Sequence, residues 1–128
     1  MPYDRDNIFA RILRGEAPCT KVYEDEFALA FHNIRPATPV HVLVVPKGEY
    51  VSNADFTASA PSELITGFWR AVGRTARKLG LEEHGYRVVA NHGSDANQVV
   101  FHFHVHIMGG RRMPGVSRAA GAPGDEGA

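Results

Sequence analysis

Seven histidines occur among 128 residues, and three of them, His102, His104 and His106, take alternate positions in one five-residue stretch. Three imidazoles so close repel one another when protonated, which favours the neutral ring near pH 7. A neutral imidazole is a nucleophile and a base. Side chains on a strand point alternately to its two faces. A strand over residues 99–108 would therefore carry the three histidines on one face and Phe101, Phe103, Val105 and Ile107 on the other. Alternate residues stand about 7 Å apart, so the row is long enough to span one phosphoryl group and its leaving atom. Burying three such rings without partners for their nitrogens is costly, so the cluster reads as a site rather than as core.

A metal centre is the rival chemistry, since three histidines and a water make a competent hydrolytic zinc site. Consecutive same-face positions on a strand lie in a line, however, and do not converge on a tetrahedron. No carboxylate occurs between Gln98 and Met113. The expectation is a site with no metal and no other cofactor.

The elements that must position this cluster follow from punctuation and periodicity. Asp6 or Asn7 caps a short helix with Ile8, Phe9, Ile12 and Leu13 at helical spacing, and Gly15 stops it before Pro18. Strand-type runs follow at 21–23, 27–31 and 41–45, the third closed by Pro46, which cannot donate to a ladder. Pro61 opens the main helix, in which Leu64, Phe68, Val72, Thr75 or Ala76, and Leu79 recur three or four apart until Gly80. Residues 86–90 form a fourth strand, 91–97 a polar loop and 99–108 a fifth strand. The plan is α+β: a five-stranded antiparallel sheet with one long and one short helix. The domain spans 1–113, and the Gly/Ala/Pro-rich stretch 114–128 is expected to be a flexible tail.

Composition removes several function classes. A single cysteine, Cys19, excludes an internal disulfide framework and multi-cysteine metal sites, and is most simply inert. Fourteen basic residues against fourteen acidic ones leave no formal charge, which speaks against nucleic-acid binding through phosphates. The longest apolar run, at 40–45, is far shorter than the roughly 20 residues of a spanning helix, so no membrane role is expected. The opening MPYDRDNIFARILRG lacks the apolar block of a secretory signal, and the expected compartment is the cytoplasm.

The stretch from Gln98 to Arg111, with His102, His104 and His106 alternating with apolar residues before Gly109-Gly110, resembles the signature of the histidine triad family. The likeness extends upstream to Asn7-Ile8-Phe9, Gly15-Glu16-Ala17-Pro18, Ala30-Phe31-His32-Asn33-Ile34, Thr38-Pro39-Val40-His41, Val44-Val45-Pro46-Lys47, and Asn91 with Gly93-Ser94-Asp95. These run in family order over 7–113, and Gly-Gly-Arg after the triad is similar to the nucleotide-binding, nucleoside phosphoramidase branch.

The resemblance implies a hydrolase acting at the α-phosphate of purine nucleoside monophosphate derivatives, through a covalent nucleotidyl-histidine intermediate. It implies His104 as nucleophile, His106 as donor to the phosphate, and His102 and His41 as completing the histidine array. Asn91 and the 97–99 segment, Asn97, Gln98 and Val99, match positions that contact the phosphate or leaving group. Ile8, Phe9, Ile12, Phe31, Ile34 and Leu43 match the pocket for the base, and Asn33 the position that binds ribose. The implied partners are an AMP- or GMP-like ligand and a second copy of the chain. Dinucleoside polyphosphate hydrolysis, and a nucleotide-binding regulator with vestigial catalysis, are the alternatives.

The chain departs from the family pattern at four places. Asn33 stands where Asp is usual, offering one acceptor oxygen rather than two. Val99 replaces a serine that assists the leaving group, Ala96-Asn97 replaces a more glycine-rich pair, and the tail lacks its usual aromatics.

Overall fold

The computed structural model describes residues 1–116. The expected tail at 114–128 therefore falls almost wholly outside the described residues.

Asn7 caps α1 (Ile8–Leu13), its side-chain oxygen accepting the Ala10 N–H at 2.9 Å. The strands β1 (Lys21–Glu24), β2 (Ala28–His32) and β3 (Val40–Pro46) follow, then α2 (Asn53–Ser59), α3 (Ser62–Lys78), β4 (Arg87–Val89) and β5 (Val105–Gly109). All strand pairs are antiparallel, in the order β1-β2-β3-β5-β4. The β1–β2 turn is held by Asp25, whose carboxylate accepts from the Phe27 and Ala28 amides.

Helix α2 is one short helix more than the sequence reading expected. Its signal is local: the Asp55 carboxylate accepts from the Val51 and Ser52 amides, the S-x-x-D form of a capping box. Seven residues with one buried apolar side chain, Phe56, give too little periodicity to announce a helix.

The register sorts the sheet into two faces. Ala30, Val44 and Val105 are cross-strand partners, as are Val42 and Ile107, and they pack with Phe56, Phe68, Phe103 and the Ala71, Val72 and Ala76 stripe of α3. On the opposite face Phe31, Leu43, His106 and Val89 align in one cross-strand row. There Phe9 from α1 packs with Leu29, Phe31, Leu43 and Val45 in a second, smaller cluster. One face thus carries the main core, and the other carries the histidines beside a small apolar floor. No helix among the described residues is long and apolar enough to cross a membrane.

The fifth strand is shorter than the sequence pattern suggests. It begins at Val105, and only His106 of the triad lies within it. The reason is Pro46. The Lys47 amide donates to Phe27 on the β2 side, so Pro46, one residue earlier, faces the β5 side and has no N–H to offer there. The β3–β5 ladder stops at Val44–Val105, and the Phe103 amide donates instead to the Tyr50 carbonyl at 2.7 Å.

Candidate functional site

With the ladder ended, the triad is not a row of equivalent rings along one strand. His102 is fully buried, while His104 and His106 are half-buried. The ring centroids of His104 and His106 are 5.2 Å apart, and those of His106 and His41 are 5.1 Å apart. His41 joins the array from β3 by contacting His106 rather than the other two.

Hydrogen-bond partners fix the tautomer of each ring, because a backbone N–H can only donate and a carbonyl can only accept. The Ala37 amide donates to His41 Nδ1 at 2.9 Å, so the neutral ring carries its proton on Nε2. His41 Nε2–H then donates to His106 Nδ1 at 2.9 Å, which leaves the His106 proton on Nε2. His104 Nδ1–H donates to the His102 carbonyl at 2.7 Å, so His104 Nε2 is a bare lone pair. His102 Nε2–H donates to the Pro46 carbonyl at 3.1 Å, and its Nδ1 accepts from the Tyr3 hydroxyl at 2.6 Å. Two neighbouring imidazoles therefore have opposite characters at Nε2. His104 offers an electron pair there, and His106 offers a proton.

Burial keeps these rings neutral. Desolvation pushes His102 down to about 4, and it does the same to His106, with repulsion from His104 and His41 adding to it. Desolvation also lowers His41 and His104 below the ordinary imidazole value. The Phe9 ring stands edge-on to His104 at 4.9 Å and 86°, walling one side of it.

Of the residues matched to a base pocket, Phe9, Phe31 and Leu43 are buried in one cluster, with Ile12 packed against it. Ile8 and Ile34 are not brought into that cluster; they stay exposed, Ile34 at 91%. Leu29, Val45, Leu13 and Val100 complete the floor, and none was matched to the base pocket from sequence, because their apolar character is what any strand or helix interior shows. Asn33 accepts the Arg35 amide through Oδ1 at 2.8 Å and sets its Nδ2 3.3 Å from His41 Nε2.

The 97–99 segment supplies fewer donors than expected. The Asn97 and Gln98 amides are spent on the Ser94 and Gly93 carbonyls. The Gln98 side chain is buried and fully engaged, accepting from the Gly93 amide and donating to the Val51 and Val100 carbonyls. Its observed part is to brace the loop. Asn97 adopts the left-handed conformation with φ of 58°, at the end of the turn Ser94–Ala96. The Val99 amide has no backbone or side-chain acceptor among the described residues, and its side chain is 74% exposed. Asn91 is half-buried just beyond β4. Tyr3 was missed by the sequence reading, since nothing local marks a tyrosine near the start of the chain as a partner for a residue 99 positions away.

A five-stranded antiparallel sheet with this histidine array on one face defines a class, and residues 14–113 match the HIT domain model. The chain belongs to the HIT, or histidine triad, family. It is 57% identical over 111 residues to an uncharacterized 13.2 kDa HIT-like protein of Azospirillum brasilense, covering 87% of this chain and 91% of the relative. Among solved structures it is similar to a HIT family hydrolase from Legionella pneumophila Philadelphia 1, with TM-score 0.78 and 40% identity over 84% of this chain and 96% of that one. It is also similar to a histidine triad nucleotide-binding protein from Candida albicans, with TM-score 0.72 and 26% identity over 91% and 90% of the two chains.

Proposed function

We propose that this HIT protein hydrolyses purine nucleoside monophosphate derivatives at the α-phosphorus, with phosphoramidates as the favoured class. The observation that carries the reading is the pairing of opposite tautomers, a bare Nε2 on His104 beside a protonated Nε2 on His106. His104 Nε2 attacks phosphorus while the His106 Nε2–H donates to a non-bridging oxygen, where negative charge accumulates. The N–P bond forms as the bond to the leaving group breaks, and the leaving amine takes up a proton from solvent. Water then cleaves the N–P bond, releasing the nucleoside monophosphate and a proton and restoring neutral His104. Throughout, the His104 Nδ1–H stays on the His102 carbonyl, which stabilises the ring as it becomes cationic.

The apolar floor of Phe9, Phe31 and Leu43 suits a purine face, and the ribose hydroxyls are assigned to Asn33, whose side chain reaches His41 beside that floor. The similarity to a hydrolase and to a nucleotide-binding protein supports the same class. In this reading Asn91 and the open Val99 amide serve the phosphate or leaving group, no metal or other cofactor is needed, and the chain works as a cytoplasmic homodimer with 1–113 as its domain.

The test is steady-state hydrolysis of an adenosine phosphoramidate and of a diadenosine polyphosphate, with the wild type and with His104→Ala. The proposal requires faster turnover of the phosphoramidate, and loss of that turnover in the variant with AMP affinity retained. Faster turnover of the diadenosine compound would move the assignment to dinucleoside polyphosphate hydrolysis. AMP binding without multiple turnover of either compound would make the protein a regulator.

A further inference from the structure

We propose that Tyr3 is a positioning residue for the candidate nucleophile: its hydroxyl holds the buried His102 imidazole in one orientation and tautomer, and the His102 carbonyl in turn holds His104. The inference rests on His104 being the nucleophile, and it concerns a residue outside both the triad and the apolar floor.

The geometry leaves His102 little choice. Its ring is 0% exposed, so water does not substitute for a lost partner. The Pro46 carbonyl can only accept, which places the ring proton on Nε2 and leaves Nδ1 as a buried acceptor. The donor that reaches Nδ1 is the Tyr3 hydroxyl, at 2.6 Å, and the tyrosine ring also stands edge-on to the imidazole at 5.7 Å and 67°. Without that O–H a buried acceptor goes unsatisfied, and moving the proton to Nδ1 would only add a lone pair facing the Pro46 carbonyl, so the ring's remedy is to turn. Turning breaks the bond to Pro46 and disturbs the His102 segment, whose carbonyl receives the His104 Nδ1–H at 2.7 Å.

The segment carrying Tyr3 is tied to its surroundings at the surface. Arg5 pairs with Glu49 at 2.9 Å, Arg14 donates to the Arg5 carbonyl at 2.7 Å, and the Asn7 amide donates to the Asp4 carbonyl. The same segment leads into α1, whose Phe9 stands against the His104 ring. The first nine residues thus fix His104 twice, once by contact through Phe9 and once through His102.

The experiment compares Tyr3→Phe, which removes only the hydroxyl, with Tyr3→Ala, which also removes the ring. Two-bond proton–nitrogen NMR of histidine-labelled protein at rest reads the tautomer and hydrogen bonding of His102 and His104, with or without catalysis. Tyr3→Phe is expected to move the His102 Nδ1 resonance toward an unbonded value and to perturb His104 as well. On the phosphoramidate it is expected to lower kcat about fivefold, the loss of roughly one hydrogen bond, with KM changed less than about twofold. An imidazole spectrum of Tyr3→Phe that overlays the wild type overturns the proposal. So does a kcat that falls only in Tyr3→Ala, since the ring would then be packing alone. If the wild type turns over no phosphoramidate, the functional reading fails, while the imidazole spectra still decide whether Tyr3 sets the state of both histidines.

Discussion

Replacing His102 with Gln tests whether this ring is held neutral by burial. Gln keeps an N–H for the Pro46 carbonyl and removes the titrating group. In the folded chain desolvation brings His102 from 6.5 down to about 4. Below pH 6.5 the unfolded chain therefore binds a proton that the folded chain refuses, and stability is lost as pH falls toward 4. Above pH 6.5 both states are neutral at this ring, and it contributes no pH dependence. The arithmetic gives a loss of about 2 kcal/mol by pH 5 and about 3 kcal/mol by pH 4 from this ring alone. Glu24, held near 2 by Lys21 and Lys47, and the other titrating groups add their own acid dependence, but they are common to both chains and cancel in the difference. Urea unfolding of wild type and His102→Gln at pH 7.5 and pH 5 measures it. The wild type should lose about 2 kcal/mol more than the variant across that interval. Equal losses would show that the ring titrates normally in the folded state and would refute the tautomer argument built on its neutrality.

Three further substitutions separate parts of the account. Val99→Ser restores a hydroxyl at an exposed position, so stability should change by less than about 0.5 kcal/mol while phosphoramidate turnover rises; unchanged turnover would remove leaving-group assistance from this position. Asn33→Asp supplies a second acceptor oxygen for the ribose hydroxyls and should tighten AMP about threefold to tenfold by calorimetry, whereas an unchanged Kd would place the ribose elsewhere. A helix-interior Gly→Ala ordinarily stabilises by about 1 kcal/mol, but a Cβ at Gly67 would sit 2.3 Å from the Phe27 ring. Gly67→Ala should therefore cost about 1–3 kcal/mol net of overpacking, and a raised Tm would contradict the close approach of α3 to the Phe27 ring.

Much of the fold was legible because its signals are local. Asn7 capping α1, the Phe68, Val72 and Ala76 stripe of α3, and the apolar runs of β2 and β3 are each written in a few neighbouring residues. The candidate histidines were legible for the same reason. What alternation could not show was where the strand begins. The sequence makes 99–108 look uniform, and the end of its pairing is dictated by Pro46, more than fifty residues upstream and across the sheet. Nor could spacing show that His41 pairs with His106, that Tyr3 reaches His102, or that Gln98 is consumed in bracing its own loop. These depend on which backbone groups three-dimensional packing leaves free. The apolar residues divided for a similar reason: Phe31 and Leu43 are neighbours by register, while Ile34, beyond the end of β2, stays in solvent.

The most direct measurement is intact and peptide-level mass spectrometry of protein quenched during turnover of an adenosine phosphoramidate. A nucleotidyl adduct localised to His104, absent in His104→Ala and decaying as AMP is released, is the expected result. Turnover with no adduct on any histidine under conditions where release is slowed, or an adduct carried by His106 instead, would contradict the assignment of the bare Nε2 as the attacking atom.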